Sequence, residues 1–318
     1  MKIKILVADG MSDLALKKFQ EESSFEVNFR KSTSTEELLP LLQDVDALFV
    51  RSATRVTAEI FEAAPKLKLV VRLGAGVDNI DIPVATMRKV AVMNTAAANA
   101  LSAAEHTIAL MFSLARRIPQ AVLSLSKQEW RRADFVGFEL TGKILGVVGC
   151  GQIGRIVIEK ALGLGMKVIA YDPFIKDLSP WKLDGKVSLK ASLKSLVEES
   201  DLVTLHIPRT DETKNLVNAE LLSYFKKGAY LLNVARGGIV DEVALLEALN
   251  NDVLAGAALD VFEKEPPVFP SPLLVHPKVI ATPHLGASTF EAQERVGLVA
   301  FEQVQAFFLK GLRVGVVN

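Results

Sequence analysis

The chain has 318 residues, half of them hydrophobic and 23% charged, with Lys+Arg and Asp+Glu balanced at 37 each. That length exceeds one ordinary core and predicts two domains, while the neutral balance argues against a nucleic-acid or membrane-attracting surface. No apolar run reaches the ~18 residues of a spanning helix, the short apolar start does not make a signal peptide, and the single Cys150 cannot pair internally, so a cytoplasmic setting is expected.

Apolar strands over 3–8, 25–29, 47–50, 69–71 and 90–93 alternate with helical segments over 12–22, 34–42 and 58–63. This alternation predicts a parallel sheet wrapped by helices, and the hydroxyl and acid residues at 33–37 suit a helix start. Residues 100–114 read as a long helix apolar on nearly every side, a crossing into a second unit. The segment 116–142 reads as irregular and rather polar.

The second unit opens on an apolar strand that meets Gly149, Gly151 and Gly154, and 152–164 then carries apolar residues at helical spacing. Strand, tight glycine turn and helix form the geometry that seats a pyrophosphate on a helix N-terminus. Gly149, Gly151, Gln152, Ile153 and Gly154 are therefore assigned to a cofactor. A strand over 167–171 ends at Asp172, 18 positions beyond Gly154. An acid there accepts from ribose hydroxyls and repels a 2′-phosphate, which favours NAD. Further strands over 202–206, 230–234, 253–260 and 278–282 alternate with helices over 193–199, 218–225 and 242–250, and a long helix covers 290–309. The expected fold class is α/β, with two Rossmann-like, doubly wound parallel-sheet domains.

In open parallel sheets, ligands sit beyond the carboxyl ends of strands. Arg236, Asp260, Glu265 and His284 stand at such ends. Oxidising a 2-hydroxy acid needs a cation for the carboxylate, which Arg supplies with a planar fork. It also needs an acid–base group, for which His is suited, and a carboxylate to orient it. Taken alone, His284 could equally cap a strand end, and Arg236 and Glu265 could form a surface ion pair. His106 reads as a packed helix residue, His276 as a solvated one, His206 as lining a cofactor pocket and Cys150 as a space-filler. Metal-type Cys/His spacing is absent, and no metal site is expected.

Six stretches then carry a resemblance: VRSAT at 50–54, GAGVDNID at 74–81, SAAEHT at 102–107, NVARGGIVDE at 233–242, ALDVFEKEP at 258–266 and TPHLGAST at 282–289. With the glycine turn, and in this order, they resemble the D-isomer-specific 2-hydroxyacid dehydrogenases over nearly the whole chain. The resemblance implies a catalytic set of Arg236, Glu265 and His284. His284 would take the hydroxyl proton, Glu265 would hold the imidazole, and Arg236 would grip the carboxylate and the C2 oxygen. It places His206, Pro208, Val234, Ala235, Arg236, Asp260 and His284 with Asp172 and the glycine turn around NAD. Backbone amides of Gly74, Ala75, Gly76 and Val77 would contact the substrate carboxylate. Arg51, Arg72 and, from across a homodimer, Arg132 would meet a 3-phosphate.

The implied activity is NAD-dependent oxidation of D-3-phosphoglycerate to 3-phosphohydroxypyruvate, the first step of serine biosynthesis. Glyoxylate or hydroxypyruvate reduction is the alternative, and NADH-sensing, corepressor-like binding a more distant one. The implied domains are 1–98 plus 286–318 for substrate and 99–285 for NAD, with the site in the cleft. Two departures stand out. Residues 94–100 lack the Pro, Gly and Ser usual in the matching loop, and the chain stops at Asn318 without a regulatory domain, so serine feedback through one is not expected.

Overall fold

The alternating apolar runs form two sheets, all of whose strand pairs are parallel. The computed structural model describes residues 2–181, 183 and 185–318. The chain divides into two units, Met1–Ala100 with Ala287–Asn318, and Leu101–Gly286.

In the first unit β1 (Ile3–Val7), α1 (Asp13–Glu21), β2 (Phe25–Phe29), α2 (Thr35–Leu38), β3 (Ala47–Val50), α3 (Ala58–Ala63), β4 (Leu69–Arg72), α4 (Ile82–Met87) and β5 (Ala91–Asn94) follow in turn. The sheet order is β2-β1-β3-β4-β5. Successive side chains of a strand point to opposite faces, and both faces here are covered. Ile5, Val7, Phe49 and Val71 pack with Phe19 and Phe25 on one face, while Leu6, Leu48, Val50 and Val70 pack with Leu38, Ile60 and Phe61 on the other. The helix expected over 34–42 starts as read, on a capping box between Ser34 and Glu37, but α2 ends at Leu38 and tightens into a 3-10 turn over Leu39–Leu41. Pro40 has no N–H to continue the α ladder.

The second unit runs through α5 (Ala100–Arg116), α6 (Ile118–Ser126), β6 (Ile144–Val148), α7 (Gln152–Gly163), β7 (Lys167–Tyr171), β8 (Val187–Leu189), α8 (Leu193–Glu199), β9 (Leu202–Leu205), α9 (Ala219–Ser223), β10 (Ala229–Asn233), α10 (Glu242–Asn250), β11 (Leu254–Leu259) and β12 (Val279–Ala281). Its order, β12-β11-β10-β9-β6-β7-β8, reverses between β9 and β6. That reversal opens the crevice where doubly wound sheets take ligands. The segment read as irregular contains α6, with Pro119 in its first turn, where a missing N–H costs nothing. α5 buries Ala104, Leu110, Met111 and Leu114 but leaves Leu101 and Phe112 exposed, so it is not covered on every side.

The last helix, α11 (Phe290–Lys310), belongs to the first unit. The Thr289 hydroxyl accepts from the Ala292 amide to start it, and Phe301 meets Phe19 edge-on at 5.1 Å. Among the described residues no single helix is long and apolar enough to cross a membrane.

Candidate active site

The glycine turn forms where β6 runs out at the sheet's reversal. Gly149 has φ +91°, and a Cβ on Gly154 would stand 2.0 Å from the Gly149 carbonyl oxygen, so the turn can close only with glycine at 154. Asp172, just past β7, braces the same turn: one carboxylate oxygen accepts the Cys150 amide at 2.8 Å, the other the Phe174 amide at 2.9 Å. Burial pushes the Cys150 thiol up to about 12, with the Asp172 charge adding to the effect, which suits a space-filler rather than a nucleophile. Across the reversal, His206 follows β9, and its Nε2 lies 3.0 Å from the Thr204 hydroxyl. Its Nδ1 is buried without a hydrogen-bond partner among the described residues, and burial pushes the imidazole down to about 3, so it stays neutral.

The candidate acid–base residues follow the adjacent strands β10, β11 and β12. Arg236 follows β10 in a turn clasped by Asn233, whose side-chain oxygen accepts the Ala235 amide at 3.1 Å and whose amide donates to the Arg236 carbonyl at 2.9 Å. Asp260, at the end of β11, is fully buried and holds four donors. Its Oδ1 accepts the Thr282 hydroxyl and the Leu285 amide, and lies 3.2 Å from His106 Nε2, while its Oδ2 accepts the Gly286 amide at 2.8 Å. Burial alone raises its pKa, but the bonds from His106, Thr282 and Leu285 outweigh that and hold it below the usual carboxylate range. The donors from Thr282, Leu285 and Gly286 bracket His284, which sits in the left-handed region at φ 56°.

His284 Nδ1 meets Glu265 Oε2 at 2.6 Å, and Glu265 Oε1 accepts the Phe262 amide at 3.1 Å. Burial pushes Glu265 up, yet the hydrogen bond and charge of His284, with the Phe262 amide, leave it lowered. A carboxylate on Nδ1 fixes the tautomer and turns Nε2 outward as a proton acceptor. The two residues are in direct contact, the arrangement an acid–base pair requires.

In the first unit Gly74, Ala75, Gly76 and Val77 form the turn after β4. The Gly74 amide donates to the Thr95 hydroxyl at 2.8 Å and the Arg72 carbonyl at 2.9 Å. Asn94 donates to the Ala75 carbonyl at 2.9 Å, so the 94–100 loop braces this turn without the Pro and Gly expected of it. Arg51 and Arg72 follow β3 and end β4, while Arg132 lies exposed in a 3-10 turn of the second unit. Asn233, Thr282 and Thr95 were not among the candidates, and His106, read as packed, reaches Asp260.

Residues 108–286 match the model of the D-isomer specific 2-hydroxyacid dehydrogenase NAD binding domain. The chain is also 33% identical to the TT0316 protein of Thermus thermophilus, covering 99% of this chain and 100% of that one with a TM-score of 0.89. The chain belongs to the D-isomer specific 2-hydroxyacid dehydrogenase family. It is 47% identical to D-3-phosphoglycerate dehydrogenase of Bacillus subtilis (strain 168) over 98% of its own length, and spans 58% of that relative. A Staphylococcus aureus NAD-dependent formate dehydrogenase solved in complex with NAD is 29% identical, with a TM-score of 0.88 and 99% of both chains covered.

The residues of the glycine turn fit NAD. Among the described residues, nothing beyond its own chain neighbours lies within 4 Å of where a Cβ on Gly151 would stand, so the mouth of the turn is open to a pyrophosphate at the start of α7. Each Asp172 oxygen accepts one amide, from Cys150 or Phe174, and has a further lone pair that ribose hydroxyls could use. Asp172→Ala should weaken NAD about ten-fold, the worth of a charge-assisted hydrogen bond, and relax discrimination against NADP. Fluorescence titration of both cofactors measures this, and an unchanged NAD:NADP ratio would show that other residues set the preference.

Proposed function

We propose that the protein oxidises D-3-phosphoglycerate at C2 to 3-phosphohydroxypyruvate with NAD, the first step of serine biosynthesis. The observation that carries the chemistry is the 2.6 Å Glu265–His284 pair in the unit that matches the NAD binding domain. The name of the Bacillus subtilis relative supports the substrate.

Arg236 holds the substrate carboxylate through its planar fork and fixes which face of C2 is presented. His284 accepts the C2 hydroxyl proton at Nε2 as the C–H electrons leave, and Glu265 balances the imidazolium through Nδ1. NAD, when bound, supplies the electron-pair acceptor. Val234, Ala235, His206 and Pro208 wall its site, with Asp260 reserved for the nicotinamide end through Oδ2, which holds one donor against three on Oδ1. The amides of Ala75, Gly76 and Val77 add donors to the carboxylate. Arg51 and Arg72, with Arg132 from across a homodimer, take the phosphate.

A homodimer in the cytoplasm fits the surface. Ile118, Val122, Leu123 and Leu125 of α6, with Trp130 and Val136 after it, are exposed apolar side chains grouped in one stretch, and a second copy would cover them.

Absorbance at the NADH band tests the reading, in reverse with phosphohydroxypyruvate, hydroxypyruvate and glyoxylate. The phosphorylated substrate should be preferred. Arg51→Ala and Arg72→Ala should each raise its KM by about ten-fold or more, the worth of a charge-assisted contact, with far less effect on hydroxypyruvate. A preference for glyoxylate or hydroxypyruvate would keep the family and move the substrate. NADH binding without any turnover would leave a binding protein.

A further inference from the structure

The loop over 51–54 is held from both sides by two residues to which nothing so far assigns a role. Asp9, two residues beyond β1, turns its carboxylate onto it: Oδ2 accepts the Arg51 amide at 2.7 Å and the Thr54 amide at 3.1 Å, and Oδ1 accepts the Thr54 hydroxyl at 2.6 Å. Asn79, beyond β4, donates from its side-chain amide to the carbonyls of Arg51 at 2.7 Å and Thr54 at 2.5 Å. The Val56 amide donates to the Asn79 carbonyl and the Asp81 amide to the Val56 carbonyl, so the loop is also sewn to the 79–81 segment. Thr54 is buried by this arrangement, while Ser52 and Ala53 stay exposed at the tip. The Arg51 backbone is therefore fixed through both its N–H and its C=O. Its guanidinium, by contrast, makes no ion pair or hydrogen bond among the described residues.

We propose that Asp9 and Asn79 are positioning residues for phosphate recognition. They hold the 51–54 loop so that the Arg51 side chain is presented to the substrate phosphate without an ordering cost at binding. This rests on the phosphoglycerate reading above. A carboxylate that takes three donors from one surface loop does little for the core, but it removes the loop's freedom. Immobilising a loop on binding otherwise subtracts directly from affinity. Because the phosphate is the part of the substrate this loop serves, the effect falls on recognition rather than on the Glu265–His284 chemistry.

The experiment compares the wild-type enzyme with Asp9→Asn and Thr54→Val, using phosphohydroxypyruvate and hydroxypyruvate with NADH. Asn at 9 keeps the shape but sets an amide N–H against the donors of the loop. Val at 54 deletes one donor at constant shape, and Thr54→Ser restores it. Asp9→Asn should raise KM for phosphohydroxypyruvate about ten-fold with kcat within about two-fold, and leave KM for NADH and for hydroxypyruvate within about two-fold. Thr54→Val should show the same pattern at about three-fold, reversed in Thr54→Ser. A variant that changes both substrates equally, or changes neither, overturns the inference while the functional reading stands. A wild-type enzyme indifferent to the phosphate overturns the functional reading, and the inference with it. If Asp9→Asn fails to fold, the Thr54 pair decides alone.

Discussion

His284→Ala is expected to lower kcat by on the order of 10² to 10⁴, the range for removing a positioned acid–base group, while Kd for NADH moves by no more than about two-fold. The split follows from geometry. His284 is anchored by Glu265 at Nδ1, so in the proposed function its Nε2 would serve the substrate, whereas the cofactor's phosphates would be met at the glycine turn after β6. Glu265→Gln should be milder, near ten-fold, because an amide oxygen still accepts from Nδ1 and only the charge is lost. The pH dependence carries the sign of the pair. The Glu265 carboxyl is lowered from its ordinary 4.5, so its contact with His284 is fully present above that value and lost only as pH falls through the lowered one. His206, pushed to about 3, is neutral wherever the enzyme is assayed. Loss of kcat/KM at low pH that follows protonation of Glu265 should therefore be absent in Glu265→Gln, which has no carboxylate to titrate. Rate measurements across pH with the three proteins check this. Near-normal turnover in His284→Ala would remove the residue from the mechanism.

What could be read in the sequence was what is local. The glycine turn was legible because Gly149, Gly151 and Gly154 sit between an apolar run and a helical period, and Asp172 because one strand separates it from them. The two sheets followed from apolar runs long enough to be buried on both faces. β8 escaped notice as a three-residue edge strand with no fully buried side chain. α4 and α6 were not among the predicted helices; each carries a proline, Pro83 or Pro119, in its first turn, where proline is tolerated. The roles of Arg236, Glu265 and His284 came from motif resemblance, since neither spacing nor composition joins residues 265 and 284. What stayed hidden was long-range bonding. The Asp9 carboxylate reaches the loop 42 to 45 residues away, and His106 reaches Asp260 across 154. Strand order decides which loops become neighbours, and strand order is not written in any one segment.

Gly237→Ala is the second change expected to have a large effect, although residue 237 has no side chain to contribute. A Cβ there would stand 1.7 Å from the Phe262 carbonyl oxygen and 2.1 Å from its carbon. Both are backbone atoms that cannot swing aside, so the two loops must separate. One carries Arg236. The other carries the Phe262 amide that holds Glu265 Oε1, and through Glu265 it orients His284. A shift of about 1 Å at a positioned acid–base site costs on the order of 10² in rate, so kcat/KM should fall at least that far. Overpacking of this kind costs about 1–3 kcal/mol, and thermal unfolding should show a lower Tm. Gly163→Ala supplies the control. Among the described residues, nothing outside the local helix backbone lies within 4 Å of a Cβ at that position, which closes α7, so activity should persist with Tm unchanged or raised. Full kcat/KM in Gly237→Ala would mean that the contact between the Arg236 turn and the Phe262 backbone is not what sets the catalytic geometry.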